Sequence, residues 1–295
     1  MDSSNSLRNF CAAALLLLAL GQAASAAENR SAPGPVWLDD YAAASEKAES
    51  EGRMLLVLFD NDEHTELGAG VQERIDSDPE LQDKIADWVL VRVGADASIP
   101  VDGEPVRLLD HNAFREMQDS AGVAVIDYLH EGAEYHGRVV SAFPFKSGKY
   151  YDWREDYLAI LADLPAGTLT QRTMVWAVRE HHESPQSTEG DFSPEIAEIA
   201  MGHSAYQARV RVQGHQNWSS RAGRVRSAVG LGHAVEVVAE SWPGQTMIDS
   251  CLDCVASWRH SSGHWGQVKR RHKLYGYDLR RGGNGIWYGT GIFAD

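Results

Sequence analysis

Between residues 36 and 163 the apolar positions switch between helical spacing and short unbroken runs. Residues 37–52 place Tyr41, Ala44, Ser45 and Ala48 on one face ahead of Gly52, which predicts a helix with a glycine stop. Residues 54–59 are apolar throughout, the pattern of a strand buried on both faces. Asp78-Pro79-Glu80 opens a short helix, with Asp78 as N-cap and Pro79 in the first turn. A second strand over 88–93, a helical piece over 113–118, strands over 123–129 and 138–145 and a helix over 152–161 follow. The expected order is helix, strand, helix, strand, helix, strand, strand, helix.

After residue 163 helical spacing dominates. Leu169, Thr173, Trp176 and Ala177 share one side of a helix over 168–180, with His181-His182 near its end. Ser193-Pro194-Glu195 is a strong helix start, and the helix should run to about Val210 with Ile196, Ile199, Ala200, His203 and Tyr206 inward. Residues 247–257 read as a helix whose buried stripe includes Met247, Cys251, Cys254 and Trp258. Two aromatic, glycine-punctuated strands, 275–278 and 286–293, end the chain.

Composition divides the same chain in two. Residues 27–163 hold 29 acidic and 12 basic residues, a net of −17, whereas 164–295 hold 12 acidic and 14 basic, a net of +2. Eight of the 12 histidines lie in the second part. With the Pro/Gly segment at 163–167, this places a boundary there, between a domain over 36–163 and one over 164–295. The start of the chain reads as a signal peptide over 1–26: Arg8, an apolar run over 11–20, then Ala24-Ser25-Ala26. A polar linker over 27–35 follows. The expectation is a secreted or periplasmic protein without a membrane span, since the apolar run is too short to cross a bilayer. The acidic first domain argues against nucleic acid as partner and leaves room for a protein partner. The basic run at 269–273 reads as a solvated loop, or as a dock for that acidic domain.

The element order of the first domain is the thioredoxin pattern, and its opening resembles extracytoplasmic thioredoxin-like proteins: a Trp, an Ala-rich helix, then an apolar strand ending in Phe59-Asp60. Redox chemistry in that family needs a Cys-x-x-Cys where a helix N-terminus lowers a thiol pKa. Here the positions read Asn61-Asp62-Glu63-His64-Thr65-Glu66, and Ser120-Ala121-Gly122-Val123 lacks the family's proline. The resemblance implies a thioredoxin-like fold without oxidoreductase activity. Asp62, Glu63 and His64 read as a solvated acidic loop more readily than as a metal cluster.

In the second domain Gly263-His264-Trp265-Gly266-Gln267-Val268 resembles the Gly-His-aromatic-x-Gln-Val signature of the CAP superfamily of cysteine-rich secretory, antigen 5 and pathogenesis-related 1 proteins. Trp258 with Ser261-Ser262-Gly263-His264 resembles its bacterial form, Ser262 standing where proline is usual. Gly214-His215 is similar to the family's His-bearing loop, and Val235-Glu236-Val237 to its Gly-Glu-Asn-Ile motif, with valine in place of asparagine. The resemblance implies an α/β chain in which a thioredoxin-like domain precedes a CAP-type α/β/α sandwich. It also implies that His215, Glu236 and His264 converge in a cleft with Gln267 beside them, and Glu240 is the candidate for the second acidic residue that such clefts often carry. His215, Glu236 and His264 would form an open three-ligand set for Zn²⁺, or a polar cleft without metal. The family has no single activity. A binding module for a small molecule, metal ion or cell-envelope component comes first. A metal-assisted hydrolase with Glu236 or Glu240 as base is the alternative. No Gly-x-Ser-x-Gly elbow supports a serine hydrolase. Cys251 and Cys254, inside a helix, read as packed thiols or a local disulfide rather than a catalytic dithiol.

Overall fold

In a computed structural model of the chain, which describes residues 35–295 apart from Asp102, the apolar run after Arg53 becomes the centre of a sheet. The signal peptide and nearly all of the linker read from the sequence lie outside the described residues. The first half contains, in chain order, β1 (Trp37–Leu38), α1 (Tyr41–Glu51), β2 (Met54–Asp60), α2 (Thr65–Ser77), α3 (Pro79–Ile85), β3 (Val89–Gly94), the hairpin of β4 (Ser98–Val101) and β5 (Glu104–Arg107), β6 (Gly122–Asp127), β7 (Arg138–Pro144) and α4 (Tyr157–Ala162). The sheet order is β1-β3-β2-β6-β7, with β1, β3 and β2 parallel and β6 and β7 antiparallel to their neighbours. Alternate residues of β2 serve two cores: Leu56 and Leu58 face one cluster, Leu55, Val57 and Phe59 the other.

Local signals set several boundaries. The Asp78 side chain accepts from the N–H groups of Glu80 and Leu81 with Pro79 in the first turn of α3. Gly52 closes α1 at φ +62°, a backbone conformation that glycine takes at little cost. Helix α1 begins at Tyr41, not at Trp37. Trp37 and Leu38 instead pair in parallel with Leu90 and Val91 as the sheet's edge.

The second half contains α5 (Leu169–Glu180), β8 (Asp191–Phe192), α6 (Pro194–Val210), α7 (Trp218–Val229), β9 (Ala234–Glu240), α8 (Met247–Arg259), α9 (Ser262–Lys269), β10 (Leu274–Arg281) and β11 (Trp287–Ala294). Its mixed sheet has the order β8-β10-β11-β9, with β8 parallel to β10 and the other pairs antiparallel. Residues of α6 and α7 pack with Ile292 and Ala294 on one face. Residues of α5 and α8 pack with Val237, Tyr277 and Phe293 on the other. The protein is thus an α/β protein with a five-stranded and a four-stranded mixed sheet. No helix among the described residues is long and apolar enough to cross a membrane.

Residues 35–295 make one compact unit. A single hydrophobic cluster runs from Leu56 and Phe143 through Tyr157 and Trp176 to Cys251 and Tyr277. The rings of Phe143 and Tyr157 stand edge-on to Trp176 at centroid distances of 5.1 and 4.9 Å. The Pro/Gly segment at 163–167 lies between α4 and α5 and is tied down from α5. Buried Arg172 donates to the carbonyls of Leu164 (3.1 Å) and Pro165 (2.8 Å) and to Ser141 Oγ (3.1 Å). Arg179 donates to the carbonyl of Asp163 (2.8 Å). A second tie runs the other way: the Asp249 carboxylate on α8 accepts from the N–H groups of Lys149, Tyr150 and Tyr151.

Candidate functional site

Strand β9 brings Glu236 to the edge of the second sheet with its side chain 1% exposed. A buried carboxylate needs compensation, and α7 supplies it. Arg221 donates from Nε to Oε2 (2.6 Å) and from Nη2 to Oε1 (2.8 Å), a two-point guanidinium–carboxylate pair. Arg221 also donates from Nη1 to the carbonyl of Gln216 (2.9 Å), so it holds the loop between α6 and α7 as well as the acid.

That loop carries His215. It is fixed at several points. Gly214 N–H donates to Gln207 Oε1 (3.0 Å), the ring of buried His203 meets the Gly214 carbonyl at Nε2 (2.8 Å), and Gln213 Nε2 donates to the Val238 carbonyl (3.2 Å). Asn217 enters α7 in the left-handed region at φ 57°. The loop so held sets His215 Nδ1 2.9 Å from Glu236 Oε1 and Nε2 3.2 Å from Nε2 of His264. His264 sits in the first turns of α9. Gly263 before it has ordinary helical backbone.

Charge and burial define the state of the cluster. Burial acts to raise the Glu236 carboxyl, but the hydrogen bonds from His215 and Arg221 and the Arg221 charge outweigh it and hold it below the ordinary value. Burial lowers His203 despite the nearby Glu236, so its imidazole is neutral at pH 7. Burial, then the neighbouring His215, lowers His264 as well. With Glu236 ionised, His215 donates its Nδ1–H to it. Its Nε2 then faces His264, the arrangement by which a carboxylate orients a liganding imidazole. The His215 side chain is 44% exposed, so the pair opens to solvent.

Three of the residues expected in the cleft therefore meet: His215, Glu236 and His264. Glu240 is exposed and lies four residues, about 13 Å, along β9 from Glu236. Gln267 lies one turn beyond His264. Its backbone carbonyl accepts from His272 Nε2 (3.0 Å), and its side-chain Oε1 is buried without a partner among the described residues. Arg221 and His203 complete the site and carried no role in the sequence reading. An arginine on a mostly polar helix gives no sign that a carboxylate in the next strand will claim it.

The zinc expectation divides on this geometry. Two nitrogens 3.2 Å apart suit two corners of a tetrahedron at ordinary Zn–N lengths of about 2.0–2.1 Å. Glu236 is turned away: Oε1 is shared by Arg221 and His215, Oε2 is taken by Arg221, and the side chain is buried. Among the described residues no group of three or more His, Cys, Asp or Glu side chains is arranged to hold a metal ion. The residues thus fit Zn²⁺ as a pair of imidazoles, with Glu236 behind His215. No protein-family model matches the chain, and no curated protein sequence does.

The other expected chemistry lies apart. Asp62 and Glu63 are exposed in a short 3-10 turn, and His64 Nδ1 bonds the Asn61 side chain (2.9 Å). Cys251 and Cys254 are buried and unbridged in α8. Burial pushes both thiols up, away from the thiolate form that redox chemistry needs.

Proposed function

We propose that this is an exported binding protein: a redox-inactive thioredoxin-like half joined to a CAP-like half whose His215/His264 pair binds a metal ion or small polar ligand. The strand order β1-β3-β2-β6-β7, with its parallel and antiparallel halves, supports the first comparison, and helices on both faces of the second sheet support the other. The observation that carries the site is the 3.2 Å separation of two imidazole nitrogens, one of them anchored to a buried carboxylate. Zn²⁺ is the metal best suited to that donor pair, leaving positions for water, a small ligand or a group of a cell-envelope polymer. The acidic first half offers a surface to a protein partner.

Metal-assisted hydrolysis at the same site needs a free base beside the bound water. Glu236 is committed to Arg221 and His215, and Glu240 lies too far along β9 to reach, so binding is the better-supported role. Calorimetric titration of Zn²⁺ into the purified protein tests it. Binding should be measurable in the wild type. His264→Ala should weaken it beyond the roughly 10–100-fold that loss of an outer-shell partner causes. Absence of binding to the wild type removes the metal from the proposal. Equal binding to both proteins places the metal elsewhere.

A further inference from the structure

A cavity of about 820 Å³ lies where the two sheets meet. One wall comes from the first half: the 3-10 turn at Asn112–Met117, residues 134–139 and the start of β7. The other comes from the start of α5, Met247 of α8, the end of β10 and Trp287. The His215/His264 pair does not line it. Its volume falls in the range of small-molecule sites, which favour seams between packed units.

The lining combines apolar surface with guanidinium groups. Four arginines line it against two glutamates, in a chain whose net charge is −15. Two of the four are spoken for. Arg115 bonds Glu116 (3.1 Å), and Arg280 bonds Asp278 (3.0 Å), a buried carboxylate that also accepts from Thr170 (2.8 Å). Arg138 and Arg281 have no acidic partner among the described residues, and they reach the cavity from opposite halves, one on β7 and one on β10. The Arg281 guanidinium lies over the Trp287 ring at 5.9 Å, where it stays planar and pre-oriented. Met247, Leu279 and Trp287, all nearly fully buried, contribute apolar atoms to the lining.

We infer that this cavity binds a small organic anion, a carboxylate with an apolar or aromatic body. Arg138 and Arg281 take the carboxylate, and the Trp287 side of the seam takes the body. Guanidinium forks match a carboxylate's two oxygens, and an apolar body displaces water from the apolar part of the lining. A ligand held from both halves also strengthens their packing, because it binds only where they are joined. The inference does not depend on the metal reading of the imidazole pair.

The test is calorimetric titration of naphthalene-2-carboxylate into the full protein, with naphthalene-2-carboxamide and inorganic phosphate as comparators. The carboxylate should bind, and the neutral amide should bind about tenfold more weakly or worse, the scale of one lost charge-assisted contact. Phosphate, which lacks the body, should bind more weakly than the carboxylate. The Arg138→Gln/Arg281→Gln double variant should lose about tenfold or more of the carboxylate affinity. Both arginines are exposed, so the variant should keep the wild-type melting temperature when unliganded. Naphthalene-2-carboxylate should raise the melting temperature of the wild type more than that of the double variant, while Arg226→Gln, on α7, should respond as the wild type does. The inference is overturned by any of three results: no carboxylate binding at about 5 mM, equal affinity for acid and amide, or undiminished affinity in the double variant. Phosphate binding as tightly as the carboxylate would reduce the cavity to a plain anion hole and also overturn it.

Discussion

The Nε2 atoms of His215 and His264 lie 3.2 Å apart although 49 residues separate them in the chain. Their approach is set from one side by Glu236, which fixes His215, and from the other by the first turns of α9. Roles within the cluster are therefore separable. His264 is only partly buried and its removal leaves the Arg221–Glu236 pair intact. Arg221→Ala strands a buried carboxylate, a loss of about 3–5 kcal/mol where one partner of a buried ion pair is removed. Urea unfolding should show Arg221→Ala strongly destabilised and His264→Ala nearly unchanged. Equal effects of the two substitutions would mean that the ion pair does not organise the loop.

How much of this was legible in the sequence depends on the range of the signal. Helix starts written in adjacent residues, Asp78-Pro79 and Ser193-Pro194, appear where the sequence puts them, because an N-cap acts on N–H groups two or three residues away. The buried strand β2 was equally plain, since an unbroken apolar run needs cover on both faces. Helix α2 was not: Gly68, Val71 and Ile75 are its buried residues, and the glycines and charges around them obscure the stripe. The β4–β5 hairpin pairs Pro100 with Pro105, so it is held with little of the usual strand chemistry. In the site, the motif resemblance pointed to His215, Glu236 and His264. Arg221 was not legible, because its partner is set by the packing of α7 on β9. The close packing of the two halves was also hidden, since the change in charge reports their surfaces and not the aromatic seam around Trp176.

The 163–167 segment looks like a linker by composition but is held like a core turn. Limited proteolysis of the folded protein should therefore cut it slowly. Arg172 has lost most of its hydration, and burial brings its pKa down to about 10 while its donors serve backbone carbonyls. Arg172→Met should leave those carbonyls unpaired, at about 1–3 kcal/mol each where no water replaces the donor, and should speed cleavage there. Rapid cutting of the wild type at this segment, with both fragments remaining folded, would show that the ties contribute little.

The thiols offer an independent check on the redox reading. Cys251 and Cys254 are fully buried, and their pKa values are raised by burial first and by nearby ionisable groups second. In the native protein Ellman's reagent should react with neither at an appreciable rate, and both should react once the chain is unfolded. Insulin-reduction assays should show no turnover. Fast native labelling, or turnover abolished by replacing both cysteines with Ala, would place a redox site in α8.

The pH dependence of stability should carry a contribution from Asp278. Its carboxyl is completely buried, and burial pushes its pKa up to about 6 although Arg280, Thr170 and the Leu279 N–H favour the charged form. In the unfolded chain an aspartate titrates near 3.9. The native state thus holds the proton more tightly than the unfolded state. The stabilisation from this group is fully present below about pH 4, falls as pH rises through about 6 and is gone above that. The two pKa values differ by about two units, which corresponds to about 2–3 kcal/mol between the acid and neutral limits. Asp278→Asn cannot ionise and so lacks this dependence, while its side-chain oxygen still accepts from Thr170. Urea unfolding of wild type and variant across about pH 4–7 isolates the effect, because the contributions of all other groups cancel in the difference. The variant should gain about 2–3 kcal/mol relative to the wild type on going from acid to neutral pH. A stability difference that stays flat across that window would show that the Arg280 pair keeps Asp278 ionised at no cost, and that its carboxyl titrates at an ordinary value.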